Sequence, residues 1–474
     1  MFDHPFSRRE ALRRSGMGMG WLGAAALLQA GRSAPAGEAD VRPRSPAARP
    51  PHFAPRARAV IHLFANGGPS HLDTFDRKPL LERYAGRPVP NTLPTERRTG
   101  AALPSPFAFS RHGESGLEVS ELFPSVARHA DRLLVVRSMH ADMPNHEPSL
   151  MLMNCGDGRL VRPSAGAWVT YGLGTENENL PGFVAMCPGG HPIKGPENWR
   201  SAFLPGSFQA TYVDTAKRRV DELVEHVRHP LLDRAVQRRQ VDLTARLDRI
   251  HLDSRPHDPQ LEARLASMEL AWRMQAEATD AFDTSREPAH VLARYGDDVQ
   301  GRQMLIARRL VERGVRYVQV WHGEGQPWDS HERIEANHRK LAGECDRAIG
   351  ALLDDLVRLG LLESTLVIWG GEFGRTPTVE LPAPGLAKEA SGRDHNHHGF
   401  TMWLAGGGVR AGAIHGATDE FGFKAVEKPV HVHDLQATML HLLGLDHTRL
   451  TYRHSGRDFR LTDVHGRVIE DWLA

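Results

Sequence analysis

The chain has 474 residues, 40% of them apolar, enough to bury one large core or two modest ones. Its 59 basic and 58 acidic side chains nearly cancel, so no bulk basic field points to nucleic acid. The three cysteines, Cys155, Cys187 and Cys345, form no CxxC pair, which argues against a disulfide framework or a zinc knuckle and suits buried thiols.

Residues 1–30 read as a twin-arginine export signal. Ser7-Arg8-Arg9-Glu10-Ala11-Leu12 precedes a mild Gly/Ala/Leu span over 16–30. That span is short for a stable membrane anchor, so membrane contact is expected only through the signal if it is retained. Residues 31–58, rich in Pro, Ala and Arg, are expected to form a flexible linker. The expected destination is the periplasm or another extracytoplasmic space.

The first strand is predicted at 60–64, ending in Ala65-Asn66-Gly67-Gly68-Pro69-Ser70-His71-Leu72-Asp73. Residues 77–115 carry many prolines and turn formers and look like a long surface excursion. A second strand is predicted at 133–136, then a helix from about Asn145 that Gly156 ends. Only short elements and loops are expected over 162–215. Helical patterns follow at about 217–250 and 260–282 and read as an insertion over the sheet, about 217–283, whose face with Met268 and Trp272 should be core.

The latter half alternates helix and strand. Helices are expected at 304–311, 331–361 and 432–443, and strands at 315–321, 365–369 and 400–405. This predicts an α/β fold, an open and mostly parallel sheet with helices on both faces. There is no GxGxxG or GxxxxGK[ST], so dinucleotide and P-loop chemistry lack support.

The chemistry-bearing residues gather where these strands end, the edge at which open sheets bind ligands. After 315–321 comes Trp328-Asp329-Ser330-His331. After 365–369 comes Gly370-Gly371-Glu372-Phe373-Gly374-Arg375. Before 400–405 comes Arg393-Asp394-His395-Asn396-His397-His398. Of the chain's 27 histidines, many fall between 322 and 465. Asp73, Asp329, His331, Glu372, Asp394, His395 and His398 are the candidate metal ligands. Mixed Asp, Glu and His donors suit one or two divalent ions, zinc first, with manganese or calcium as alternatives. Arg375 reads as an anion clamp, because its planar fork matches phosphate or sulfate. The plainer reading pairs Arg375 with Glu372 in a structural salt bridge.

Past the linker the chain resembles the DUF1501 family, grouped with the alkaline phosphatase and sulfatase superfamily. The motifs that carry the resemblance are Gly67-Gly-Pro-Ser-His-Leu-Asp-Thr-Phe-Asp76, Trp328-Asp-Ser-His331, Gly371-Glu-Phe-Gly-Arg-Thr-Pro377, Gly392-Arg-Asp-His395 and Ala405-Gly-Gly-Gly408. The resemblance implies a metal Asp at Asp73 and a metal pair at Asp329 and His331, two apart where the superfamily commonly has four. It also implies a strand-end acid at Glu372 and a further His at His395 or His398. Phe373 stands where the superfamily pattern has His. Met143-Pro144-Asn145-His146 matches a frame that carries a nucleophilic Thr in the phosphodiesterase branch, but Asp142 holds the nearest position. Asp142 is therefore the candidate base or substitute nucleophile. Two functions follow: an exported metal-dependent hydrolase of phosphate or sulfate esters, or a degenerate relative that binds an anionic small-molecule or glycan ester without turning it over.

Overall fold

The computed structural model describes residues 48–90, 92–223, 233–254, 268–270, 272–274, 280–382 and 391–474. The export signal, the linker up to residue 47 and most of the second insertion helix lie outside these residues.

The predicted apolar runs become strands of one sheet because both of their faces are apolar. In Ala59–Phe64, Ile61 and Leu63 face one core, while Val60 and Phe64 face another. Thr365–Gly370 alternates in the same way, with Val367 and Trp369 against Leu366 and Ile368. A strand buried on both sides needs this continuous apolar sequence. The order across the nine-stranded sheet is Ala413–His415, Leu133–His140, Phe400–Ala405, Thr365–Gly370, Ala59–Phe64, Tyr317–Trp321, Phe183–Met186, Thr211–Val213, with Val430–His431 also paired to Leu133–His140. One core is closed by the helices Val299–Glu312 and Ile334–Arg358, the other by His146–Cys155, Ala165–Leu173 and Val432–Leu442.

All strands run the same way except Phe400–Ala405, which pairs antiparallel with both neighbours. A mostly parallel sheet is the expectation from the sequence, and this run is its exception. The reversal decides the site: the amino end of Phe400–Ala405 lies at the edge where the other strands have their carboxyl ends. The residues before it, 393–398, therefore join the groups that follow the parallel strands.

Other differences are local. The stretch 162–215 holds more order than expected, with a helix at Ala165–Leu173 and two strands. Ser164 caps that helix by accepting from the Ala167 amide. Residues 49–57 are packed rather than free: the amides of His52 and Phe53 donate to Gly444 O, and those of Arg56 and Ala57 to Leu442 O. In the insertion, Met268 is 40% exposed, and Met274 and Phe282 take the core positions instead. Trp272 lies under the Arg238 guanidinium, 4.5 Å from its ring centroid. Among the described residues no helix is long and apolar enough to cross a membrane.

Candidate metal centre

Four segments meet at the carboxyl edge. The loop after Tyr317–Trp321 carries Asp329 and His331. The turn after Thr365–Gly370 carries Glu372. His146 opens the helix that follows Leu133–His140, and His395 lies in Arg393–Asn396. The last of these is held by a small sheet, in which Gly374–Glu380 pairs with Arg393–Asn396 on one side and Thr99–Ala102 on the other. Arg375 stands opposite His395, and Glu380 opposite Thr99. The close fit depends on Gly67. Its φ is +109°, and a Cβ there would sit 2.5 Å from the Asp329 amide nitrogen.

Three imidazoles converge on one carboxylate. His331 Nε2 lies 2.9 Å and His395 Nε2 3.2 Å from Asp329 Oδ1, and His146 Nε2 lies 3.3 Å from Oδ2. One ligand atom from each of these four residues falls within 4.8 Å of the others. Behind each ring stands a second carboxylate on Nδ1: Glu372 for His146 at 2.6 Å, Glu380 for His331 and Glu96 for His395. A carboxylate that accepts a hydrogen bond from Nδ1–H holds the proton on that nitrogen and turns the Nε2 lone pair inward, as at metal-bound histidines. The Phe373 ring packs on two of the imidazoles, with centroids 4.8 Å from His146 and 4.5 Å from His395.

The same contacts set the protonation of the metal-free site. Burial would push the Asp329 carboxyl up, but hydrogen bonds from the three histidines and the Arg375 charge hold it far below the usual carboxylate range. Burial would lower His146 and His331. Hydrogen bonds to Asp329, joined by Glu372 for the first and Glu380 for the second, raise both above the ordinary imidazole value instead. His395 holds Glu96 below its ordinary value by hydrogen bonding to it.

Arg375 is wholly buried and engaged on every nitrogen. Nε donates to Gly68 O at 2.8 Å, Nη1 to Arg393 O at 3.3 Å, and Nη2 to Gly67 O, to Trp328 O and to Asp329 Oδ1. It ties the glycine turn to Asp329. Its partner is Asp329 rather than Glu372.

The other predicted residues divide. Asp394 adjoins the centre, in two overlapping donor groups, one with Glu96 and His395 and one with His331 and Glu380. Glu372 stands behind His146 and accepts from the Gly67 amide at 3.0 Å. Asp73 is drawn off by Arg393, whose Nε and Nη2 donate to it at 2.8 and 3.3 Å, both side chains being fully buried. His398 faces Pro94 O at 3.4 Å and lies outside the donor groups. Asp142 is exposed, receives His431 Nε2 at 3.1 Å and lies outside the donor groups. Sequence reasoning missed His146, Glu96 and Glu380 as parts of the site. His146 had a usable signal, an imidazole at the first turn of a helix following a central strand. Glu96 had none, because it sits in the excursion whose return to the sheet edge only the fold reveals.

The donor set fits a divalent ion. His146 Nε2 is buried and faces Asp329 Oδ2 at 3.3 Å, a contact that falls short of a well-aligned hydrogen bond and leaves room for a better partner. Three imidazole nitrogens and one carboxylate oxygen suit zinc, and the second carboxylates complete the pattern.

Several solved structures are similar to this chain at low identity and low TM-score. The lipoteichoic acid synthase LtaP from Listeria monocytogenes is 9% identical over 88% of this chain and 78% of that one, with a TM-score of 0.35. The PsFucS1 sulfatase from Pseudoalteromonas sp. is 12% identical over 82% and 68%, TM-score 0.34. The phosphonate monoester hydrolase of Agrobacterium radiobacter is 12% identical over 83% and 74%, TM-score 0.33. No curated protein matches the sequence. The family described as "Protein of unknown function (DUF1501)" matches residues 57–473, and the chain belongs to that family.

Proposed function

We propose that the protein is an exported metal-dependent hydrolase of phosphate or sulfate esters. The observation that carries this is the convergence of His146, His331 and His395 on Asp329, each ring backed by its own carboxylate. A divalent ion held there supplies Lewis acidity toward an ester oxygen and a lowered pKa for water. The chain's own residues do the rest. The three Nε2 atoms and Asp329 form the seat. Glu372, Glu380 and Glu96 keep the Nδ1 protons in place. Arg375 fixes Asp329, and Phe373 walls one side with an apolar ring. Because Arg375 is tied to Asp329 and the glycine turn, this reading gives anion recognition to the centre itself rather than to an arginine clamp. Export rests on the Arg8-Arg9 motif.

Phe373 favours one competing reading, binding of an anionic or sulfated glycan ester without turnover. It replaces the imidazole of the superfamily pattern, and its ring lies against two of the remaining three. The deciding experiment is an assay of the zinc-loaded protein on 4-nitrophenyl phosphate, 4-nitrophenyl sulfate and phenylphosphonate esters. Turnover that disappears in Asp329→Asn supports hydrolysis. Full zinc occupancy, measurable binding of a sulfated oligosaccharide and no release of 4-nitrophenol would leave the binding reading in its place.

A further inference from the structure

The segment that leads into the amino end of Ala59–Phe64 builds a pocket at the sheet edge away from the imidazole centre. The helix Val432–Leu442 starts at the carboxyl edge, after Val430–His431, and ends beside this segment. The Arg49 amide donates to Leu173 O at 2.7 Å, and the His52 amide to Gly444 O at 2.9 Å. These bonds set Arg49, Pro50 and His52 against Tyr171, Arg449 and Leu450 around a pocket of about 360 Å³, the size of a small-molecule site.

The charged and polar side chains here are donors. Arg49 Nη1 donates to Tyr171 O at 2.9 Å, with the guanidinium 5.5 Å from the Tyr171 ring centroid. Arg449 is exposed, and its side chain meets no acceptor among the described residues. His52 Nδ1 accepts from the Asp446 amide at 3.0 Å, so the neutral ring carries its proton on Nε2 and offers a third donor. Among the described residues no carboxylate lines the pocket. Asp446 stands next to it in the chain, and its Oδ1 is turned onto the Thr448 amide and hydroxyl at 2.8 and 2.7 Å. Two guanidiniums on one concave wall repel each other until an anion joins them, and their planar forks match an oxyanion. Pro50, Tyr171 and Leu450 add apolar surface beside the charges, which a bare ion would leave unused.

We propose that this pocket binds a small organic oxyanion, a phosphate or carboxylate on a compact apolar body, at a place separate from the imidazole centre. Arg49, Arg449 and the His52 Nε2–H take the oxyanion, and the Tyr171 carbonyl and ring hold Arg49 in position. An occupant joining Arg49 to Arg449 fastens the segment before the first strand to the turn at 446–451. The inference does not rest on the metal reading.

Calorimetric titration of the full chain with phenyl phosphate, benzoate and inorganic phosphate tests it, at low salt because exposed guanidiniums are screened. One aromatic probe per chain is expected to bind in the wild type and still to bind in Asp329→Asn, which separates this pocket from any ester held at the imidazole centre. The tighter of phenyl phosphate and benzoate identifies the head group, and inorganic phosphate should bind more weakly than phenyl phosphate. The bound probe should raise the melting temperature. Arg449→Gln removes an exposed side chain without a protein partner, so it should melt as the wild type does. Its affinity for the probe should fall about tenfold or more, the scale of one charge-assisted hydrogen bond. No binding of either aromatic probe, unchanged affinity in Arg449→Gln, or binding lost in Asp329→Asn would overturn the pocket. Inorganic phosphate bound as tightly as phenyl phosphate would overturn the ligand class.

Discussion

Arg375 donates through Nη2 to Asp329 Oδ1 at 2.7 Å and also to the Gly67 and Trp328 carbonyls, while Nε and Nη1 donate to the carbonyls of Gly68 and Arg393. An arginine fixed in this way positions a ligand residue. Swinging it toward a substrate anion would break its buried hydrogen bonds to Asp329 and the glycine turn.

The first prediction follows from that pair. Arg375→Ala removes one partner of the buried Arg375–Asp329 pair along with its bonds to four carbonyls, and removing one partner of a buried pair costs about 3–5 kcal/mol. Melting temperature and zinc content should therefore fall together. Arg375→Lys should be intermediate at best, because an ammonium cannot reproduce the fork. Elemental analysis and thermal melting of both variants check this. Intact zinc with weakened ester affinity alone would restore the anion-clamp reading.

The second prediction concerns Glu372, which receives His146 Nδ1 at 2.6 Å and the Gly67 amide at 3.0 Å. Glu372→Gln keeps the shape and one acceptor but removes the charge behind the ring. Loss of such an outer carboxylate costs roughly 10–100-fold in metal affinity. Competition with a chromogenic zinc chelator reads the change, with circular dichroism as the control for folding. An unchanged affinity would mean that His146 is no ligand.

Much of this was legible in the sequence, for physical reasons that differ by residue. The strands at Ala59–Phe64, Tyr317–Trp321 and Thr365–Gly370 are apolar on both faces, so short apolar runs between helical patterns were enough to place them. The direction of Phe400–Ala405 was not legible, because an apolar run buried on both faces reads alike in either direction. Asp329, His331 and His395 were named because each stands beside a strand end. Asp73 stands beside one too, yet Arg393 captures it, and a pairing 320 positions apart leaves no local trace. Glu380 and Glu96 were invisible for the same reason. They reach the centre only because Thr99–Ala102 pairs with Gly374–Glu380 and returns the excursion to the site.

The last prediction is a pH dependence. In the metal-free protein His146 and His331 sit above their ordinary value of 6.5, chiefly through Asp329 and their second carboxylates overcoming burial, and Asp329 sits below its ordinary 3.8. A raised histidine stabilises the fold fully below its unfolded value and loses that contribution as pH rises through the folded one. A lowered aspartate stabilises above its unfolded value and loses the contribution as pH falls through the folded one. The network therefore helps the metal-free fold most between about 3.8 and 6.5 and fades above that. Zinc requires the opposite state, since each Nε2 must be free of its proton. Zinc binding near pH 6.5 should release protons from His146 and His331, and the release should decline as pH rises through their folded values. Calorimetry in buffers of different ionisation enthalpy counts these protons directly. Asp329→Asn removes the partner that raises both histidines, so it should release fewer protons at the same pH as well as bind zinc more weakly. Proton release that is absent near pH 6.5, or that grows with pH, would show that the imidazoles are not the groups zinc displaces protons from.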